Sequence, residues 1–462
     1  MPPSKARPRP KAPLIDGVST PHRWWRLALL GAVLVGLVGV GWSPWCLSRG
    51  IAAMAARDYE AAERWLDRSA WLGTSAETHF WRARLARKLF AIDRAAAELD
   101  AAAKGGLAAS RVARERLLIG AQAGRLAGLE PELKRWFLDV GTDGNDLCEA
   151  YVNGLIMNGR AGEAEVIIQH WKRSDPRDPQ PYLAWGRWLE SQLDTKPAER
   201  EYEAALLQSP KCAAAHYALG RLKLNRVEAR AALVHFEEAE KQLTADSAPR
   251  IAIARCYQEL GETDRARQIL EQVVREPEAA LARSFALVQD PDPSRPADRL
   301  LGELLARANE AQRALPYLER ALAVAPRDPT LRYLKAQCLQ GIGDQEAARA
   351  LFAEIAADRA AIAEADRLVD QISSHPSDPQ VDLRLRVGEL FWKHDSARKA
   401  EYWLKSVLVH DPRNAAAHGM LAEYYELRSR HDPAFADAAE YHRRAAALSG
   451  GTERSPSEKP QP

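Results

Sequence analysis

The chain has 462 residues, 46% of them hydrophobic, with 65 Lys and Arg against 63 Asp and Glu. A net charge of +2 on so long a chain excludes the broad basic face that displaces counterions from nucleic acid, so no nucleic-acid partner is expected. Cys46, Cys148, Cys212, Cys256 and Cys338 stand singly, with no CxxC pair. This odd, scattered set excludes a complete intrachain disulfide framework and reads as small buried hydrophobes.

The charge is uneven along the chain. Lys5, Arg7, Arg9, Lys11, Arg23 and Arg26 face Asp16 alone in the first 26 residues, which leaves the remainder slightly acidic. Residues 1–23 therefore read as a basic cytoplasmic tail. From Leu27 to Gly41 no charge occurs, and Trp24, Trp25, Trp42 and Trp45 flank this run. A helix over 24–42 spans roughly 28 Å, close to a hydrocarbon core of about 30 Å, with tryptophans at both interfaces. The expected arrangement is a single inner-membrane span with a cytoplasmic N-terminus and the rest of the chain outside the cytoplasm. A cleaved signal peptide is the competing reading, opposed by the bulky rings that follow a poor cleavage site. Ala28, Ala32 and Gly36 share one helix face and allow a close homodimer contact.

Beyond the span a 34-residue comb governs the chain. Ala62, Ala96, Ala164, Ala198, Ala232 and Ala266 keep this register, and Ala314, Ala348 and Ala400 fill the same slot later. Such a period predicts stacked repeats, not one globular core. In 34-position units, position 8 is small (Gly50, Gly186, Gly220, Gly302, Gly388). Position 20 is alanine, and position 24 is large (Leu66, Ile168, Tyr202, Phe236, Leu270, Leu318, Phe352, Leu404). Small residues at 8 and 20 let two antiparallel helices cross closely, and the bulky residue at 24 is expected to fill the gap towards the next repeat. Pro176, Pro210, Pro326 and Pro412 at position 32 stop the second helix. Gly159-Arg160, Gly261-Glu262 and Gly343-Asp344 mark the turn between the helices.

The units run in blocks: 43–280, about seven repeats with 111–144 degenerate; 295–362; and 381–448. An insertion at 281–294 and a helical linker at 363–380 separate them. The linker extends a helix from about Gln345 to Ser373. The tail 449–462, rich in Ser, Pro, Glu and Lys, is expected to be disordered.

The Leu-Gly pairs (Leu219-Gly220, Leu301-Gly302), Tyr257 at position 11 and the alanine four residues before a bulky side chain resemble the tetratricopeptide repeat over about 44–448. The tail, span and repeats together look like membrane-anchored bacterial members of that family. The resemblance implies an all-α, right-handed solenoid whose first helices line a concave groove through positions 2, 5, 6, 9, 12 and 13. Position 9 then supplies Arg187, Arg221 and Arg255, and position 5 supplies Leu183, Tyr217 and Ile251. Alanines (Ala184, Ala218, Ala252) leave room at position 6. An arginine ladder beside an apolar stripe suits an extended acidic peptide, because guanidinium groups bind carboxylates bidentately. The alternative is that these arginines pair within the chain, with Glu190 or Glu259.

No GxSxG, phosphate-cradling GxxxxGK, HExxH or paired-cysteine metal motif is present, so no enzymatic activity, cofactor or metal is expected. His216 and His418, at position 4, read as core filling. His394-Asp395 and His431-Asp432 fall at exposed turns. The expected function is a membrane-tethered scaffold that captures a protein or peptide partner. A self-associating envelope component, or repeats on the cytoplasmic side, are the alternatives.

Overall fold

The computed structural model describes residues 42–71, 73–138, 144–290, 295–375, 377–429 and 435–450. The expected span 24–42, its dimer face Ala28, Ala32 and Gly36, and the basic tail 1–23 lie outside these residues, Trp42 excepted. Among the described residues no helix is long and apolar enough to cross a membrane. Those residues form 23 helices and no strand: an all-α helical-repeat solenoid.

Paired helices run in order: α1 (residues 42–55) with α2 (Tyr59–Ser69), α3 (Ala76–Lys88) with α4 (Ile92–Lys104), and α5 (Ala109–Gln122) with α6 (Glu130–Leu138). Next come α7 (Gly144–Met157) with α8 (Ala161–Ser174), α9 (Gln180–Ser191) with α10 (Thr195–Gln208), and α11 (Ala213–Asn225) with α12 (Ala229–Gln242). The pair α13 (Ser247–Glu259) and α14 (Thr263–Val273) precedes a shorter α15 (Glu278–Leu287). The later pairs are α16 (Pro296–Arg307) with α17 (Ala311–Val324), α18 (Pro329–Gly341) with α19 (Gln345–Ser374), α20 (Val381–His394) with α21 (Ala397–His410), and α22 (Ala415–Ser429) with α23 (Ala436–Gly450). The helix α23 reaches Gly450, two residues into the tail expected to be disordered; residues 451–462 lie outside the described set.

The glycine at position 8 explains how each pair closes. A Cβ built on Gly186 meets the Tyr202 ring at 2.5 Å, and on Gly220 the Phe236 ring at 2.7 Å. Gly50, Gly302 and Gly388 stand in the same relation to Leu66, Leu318 and Leu404. The bulky residue at position 24 thus seats on the glycine of its own repeat, and it also meets the next one: Tyr202 shares a core cluster with Ala215 and Leu219, and Leu66 with Leu85 and Leu89. Ala62, Ala164, Ala198, Ala232, Ala266, Ala314 and Ala400 are fully buried, as close crossing requires. The comb slips once. Ala96 is exposed and Ala95 takes the buried slot, because α4 starts early enough to shift its inner face by one residue.

Most turns between paired helices carry a left-handed residue that lets the chain reverse, although α20 and α21 join without one. Gly159, Gly261 and Gly343 adopt φ of 72°, 79° and 92°. The Gly261 N–H bonds to the Gln258 carbonyl and the Glu262 N–H to the Tyr257 carbonyl, which ends α13 in a Schellman motif. Second helices stop just ahead of Pro176, Pro210, Pro326 and Pro412. Asp58, Asp344 and Ser396 cap the helices that follow them.

The described chain divides into two compact units, Met1–Pro249 with Ala279–Pro291, and Arg250–Glu278 with Asp292–Pro462. The sequence blocks do not foresee this division. In the first unit the solenoid turn closes on itself: the Glu60 carboxylate on α2 accepts the backbone N–H groups of Thr244 and Ala245, both at 2.8 Å. Leu287 of α15 joins a core cluster with Met54, Tyr59, Leu66, Leu85 and Leu89. Most of the expected insertion 281–294 is therefore helix and wall of the first unit, while within the second unit α14 packs directly on α16. Also in the second unit, α19 runs unbroken through the expected linker as far as Ser374 and packs against α20.

Candidate functional site: the concave interior of the first unit

First helices line the inner face of the first unit, with the ends of several second helices at its rim. They enclose a cavity of ≈ 1070 Å³ whose wall includes Met54 and Arg57 near the end of α1, Trp81, Arg84 and Lys88 of α3, Arg111 and Glu115 of α5, and Asp146 of α7. Asp178, Gln180, Lys211 and Gln289 continue that wall. Side chains of both signs meet here at low exposure. Lys88 bonds to Glu149 at 2.6 Å and pairs with Asp146, and Arg87 bonds to Glu115 at 2.6 Å. Arg57 pairs with Asp178 and lies 3.6 Å from Glu149. Asp178 also accepts the Trp171 indole N–H at 3.1 Å and the Gln180 backbone N–H at 3.0 Å.

Burial and charge oppose each other in this cluster. Burial pulls the Lys88 ammonium down to about 8, although Glu149 draws it upward. Burial alone would raise the Glu149 carboxyl, but Lys88 and Arg57 hold it at about 2. Burial wins at Asp178, whose carboxyl stays above its ordinary value despite Arg57. Charges buried this deeply survive only as mutual partners. At the rim, Arg177 and Lys211 are exposed.

The groove residues expected from sequence separate into two groups. Leu183, Tyr217, Arg187 and Arg221 come together in the first unit, around a space of only ≈ 10 Å³ closed by Val288, Gln289 and Asp290. The Arg187 guanidinium donates to the Gln289 side-chain carbonyl, and the Gln289 amide donates to Gln180 at 3.0 Å. Arg221 bridges Asp290 and Glu190, each at 2.7 Å. Burial lowers Arg187, whereas at Arg221 the two carboxylates outweigh burial and raise it. Arg221 thus makes the intrachain pair with Glu190 that the sequence left open. Ile251 and Arg255 fall in the second unit, Ile251 buried and Arg255 exposed.

Sequence reading missed Glu115, Asp146, Glu149, Gln180 and Lys88. The signal was available, because in the 34-residue register they occupy positions 5, 2, 5, 2 and 12 of their units, all inward-facing. The Gln289-Asp290 segment gave no such signal, since it follows the repeats that it meets.

Cys46, Cys148, Cys256 and Cys338 are buried, Cys212 is partly so, and all five are free thiols. Among the described residues no cluster of His, Cys, Asp and Glu is placed to hold a metal ion. His418 is buried, bonded to His442 at 2.8 Å and to the Pro412 carbonyl at 3.1 Å. His216 makes the matching contacts to His235 at 3.2 Å and Pro210 at 3.1 Å, but is less enclosed. His394 bonds to Asp358 at 2.8 Å. His431-Asp432 lies outside the described residues.

No curated relative matches the chain. Solved structures similar to it include YrrB, described as a tetratricopeptide-repeat protein with an unusual peptide-binding site (17% identity, 47% of this chain and 95% of that one, TM-score 0.28). Pseudomonas aeruginosa pilF is similar at 16% identity over 45% and 89% of the two chains, with a TM-score of 0.39. The Cut9–Hcn1 tetramer matches at 15% identity over 90% and 82%, with a TM-score of 0.36. Residues 228–288 match the family model described as tetratricopeptide repeat. That match spans α12 to α15 and marks these helices as similar to tetratricopeptide repeats.

Proposed function

We propose that the protein is a membrane-tethered scaffold whose first unit captures a protein or peptide segment in its concave interior. The observation that carries this reading is the ≈ 1070 Å³ cavity lined by charged side chains of successive first helices. Paired buried charges hold its wall rigid, and Arg177 and Lys211 at the rim are free to meet a partner's polar groups. A preformed concave surface lowers the ordering cost of binding an extended segment.

The tether rests on the uncharged run Leu27–Gly41, which ends where α1 begins. Trp42, Trp45 and Trp71 there are 37%, 48% and 80% exposed, and Arg49 and Arg68 lie over the Trp65 ring. Such amphipathic rings and cations suit the headgroup level. The basic tail then stays in the cytoplasm and the repeats lie outside it, at the inner membrane.

Site-specific photocrosslinking in intact cells tests capture. A photoreactive residue replacing Lys211 in the cavity is expected to give a discrete adduct. The same residue replacing Leu207, which is 80% exposed, is expected to give none. Adducts alike at both positions, or none at either, would overturn the capture reading. Protease digestion of the repeats before the inner membrane is breached, in cells with a permeabilised outer layer, is the outcome expected of the stated orientation.

A further inference from the structure

The chain fills part of its own groove, and the fit resembles that of a ligand in a site. Phe285, Leu287 and Val288 are 5%, 8% and 3% exposed. The α15 helix ends in a Schellman motif: the Gln289 N–H bonds to the Ala286 carbonyl and the Asp290 N–H to the Phe285 carbonyl, both at 3.0 Å. This turn puts Gln289 at φ 57° and aims both polar side chains at α9 and α11. Glycine is the residue that this left-handed slot favours. The glutamine there supplies what glycine lacks, an amide clamped between Arg187 and Gln180.

Arg187 gives the site its chemistry. Among the described residues it forms no ion pair with a carboxylate; its cation meets a neutral amide oxygen. A carboxylate in that place makes a charge-assisted bond, roughly twice as strong as the neutral one. Arg221 beside it already holds one carboxylate from the segment, Asp290.

We propose that Gln180, Arg187 and Arg221 form a recognition site for an acidic peptide segment, an apolar residue followed by Gln or Glu and then Asp, which Val288-Gln289-Asp290 occupies in cis. A partner carrying that trio competes with the segment, which acts as a tethered pseudo-ligand. The idea deepens the capture reading by naming the partner's chemistry at one end of the same interior. Tethering gives the internal segment an effective concentration in the millimolar range. A free peptide therefore binds the wild-type chain weakly, by the fraction of time that the site stands open.

The test uses the full chain and a fluorescein-labelled peptide of residues 281–292 (Leu-Ala-Arg-Ser-Phe-Ala-Leu-Val-Gln-Asp-Pro-Asp), followed by fluorescence anisotropy. Gln289→Gly with Asp290→Ala keeps the turn and removes both side chains from the site. This variant is expected to bind the peptide at least about tenfold more tightly than wild type. A peptide with Glu in place of Gln should bind more tightly still, and adding Arg221→Glu should abolish binding. A folded variant that binds no peptide would overturn the proposal and leave α15 as a fixed wall. Hydrogen exchange on the wild-type chain gives a second, independent readout. The Gln289 and Asp290 amides are expected to exchange faster than those at the centre of α11. Exchange at one common rate would also overturn release. Peptide binding in the variant with no adduct at Lys211 in cells would retain this site while removing the capture reading.

Discussion

The Glu60 carboxylate accepts the backbone N–H of Thr244 at 2.8 Å, although the two residues are 184 apart in the chain. That contact, with the Ala245 N–H at 2.8 Å and the Thr244 hydroxyl, converts a run of stacked pairs into a closed turn with an interior. Burial pushes the Glu60 carboxyl up, but these donors and Arg283 outweigh it and bring it below the ordinary 4.5. A depressed carboxyl stabilises the fold above that value and loses its contribution as pH falls through the folded one. Glu60→Ala is expected to cost about 2 kcal/mol by orphaning two backbone donors, and to weaken the acid dependence of unfolding. Urea denaturation between pH 7 and pH 3, with amide exchange at 244 and 245, measures both effects. Unchanged protection of those amides would refute the closure role.

Gly186 permits the closest approach of an aromatic ring to a helix backbone among the position-8 sites. An added Cβ lies 2.5 Å from Tyr202 Cε1, and Tyr202 is fully buried with nowhere to retreat. Gly186→Ala is expected to lower unfolding free energy by about 1–3 kcal/mol. Gly419→Ala is the contrasting case, because that exposed residue inside α22 has no atom within 4 Å of its added Cβ. It is expected to stabilise by about 0.5–1 kcal/mol. Equal effects of the two substitutions in thermal melts would refute the steric account.

The repeat pairs were legible because they are local. A period of 34, a glycine at position 8 and a bulky residue 16 further on meet inside one helix pair, so a single unit of sequence contains the whole contact. The slip from Ala96 to Ala95 came from the early start of α4, which the comb could not register. The closed turn was not legible, since Glu60 and Thr244 occupy no shared repeat position. The same holds for Gln289 and Asp290, whose role depends on Arg187 and Arg221 being brought opposite them. Inward-facing Glu115, Glu149 and Lys88 could have been read from the same register that singled out Arg187. The pairing of Lys88 with Glu149 and of Arg87 with Glu115 follows only from the curvature that brings α3, α5 and α7 together.

Lys88 and Glu149, 2.6 Å apart and both buried, should behave as one unit. Glu149→Gln leaves a desolvated ammonium with Asp146 alone, and Arg57 loses a neighbour as well. The expected cost is about 3 kcal/mol, since removing one partner of a buried pair leaves the other uncompensated. Lys88→Met with Glu149→Leu removes both charges and is expected to recover most of that loss. A double-mutant cycle in guanidinium denaturation tests the coupling. Additive losses would show that the two side chains act independently.

The His418–His442 contact is expected to make the C-terminal pair sensitive to mild acid. The Nδ1 atoms are 2.8 Å apart, so one ring must donate and the other accept, and both cannot be cationic there. Burial, then His418, then Lys405 hold His442 below its ordinary 6.5. The ring also stacks on Tyr425 at 5.5 Å and meets Tyr441 edge-on at 5.0 Å, leaving little room for water. A histidine with a depressed folded value is neutral when folded and protonated when unfolded, so the unfolded chain binds more protons. Stability is therefore complete above about pH 6.5 and falls as acid carries the solution down towards the folded value. His235, lowered by burial and by His216, contributes with the same sign in the first unit. His442→Phe keeps an aromatic ring against Tyr425 and removes the titrating group. It is expected to flatten, but not abolish, the decline in melting temperature between pH 7.5 and pH 5.5. Slower amide exchange in α22 and α23 of the variant at pH 5.5, relative to wild type, should accompany this. A pH profile identical to wild type would show that the His418–His442 pair carries none of the acid sensitivity.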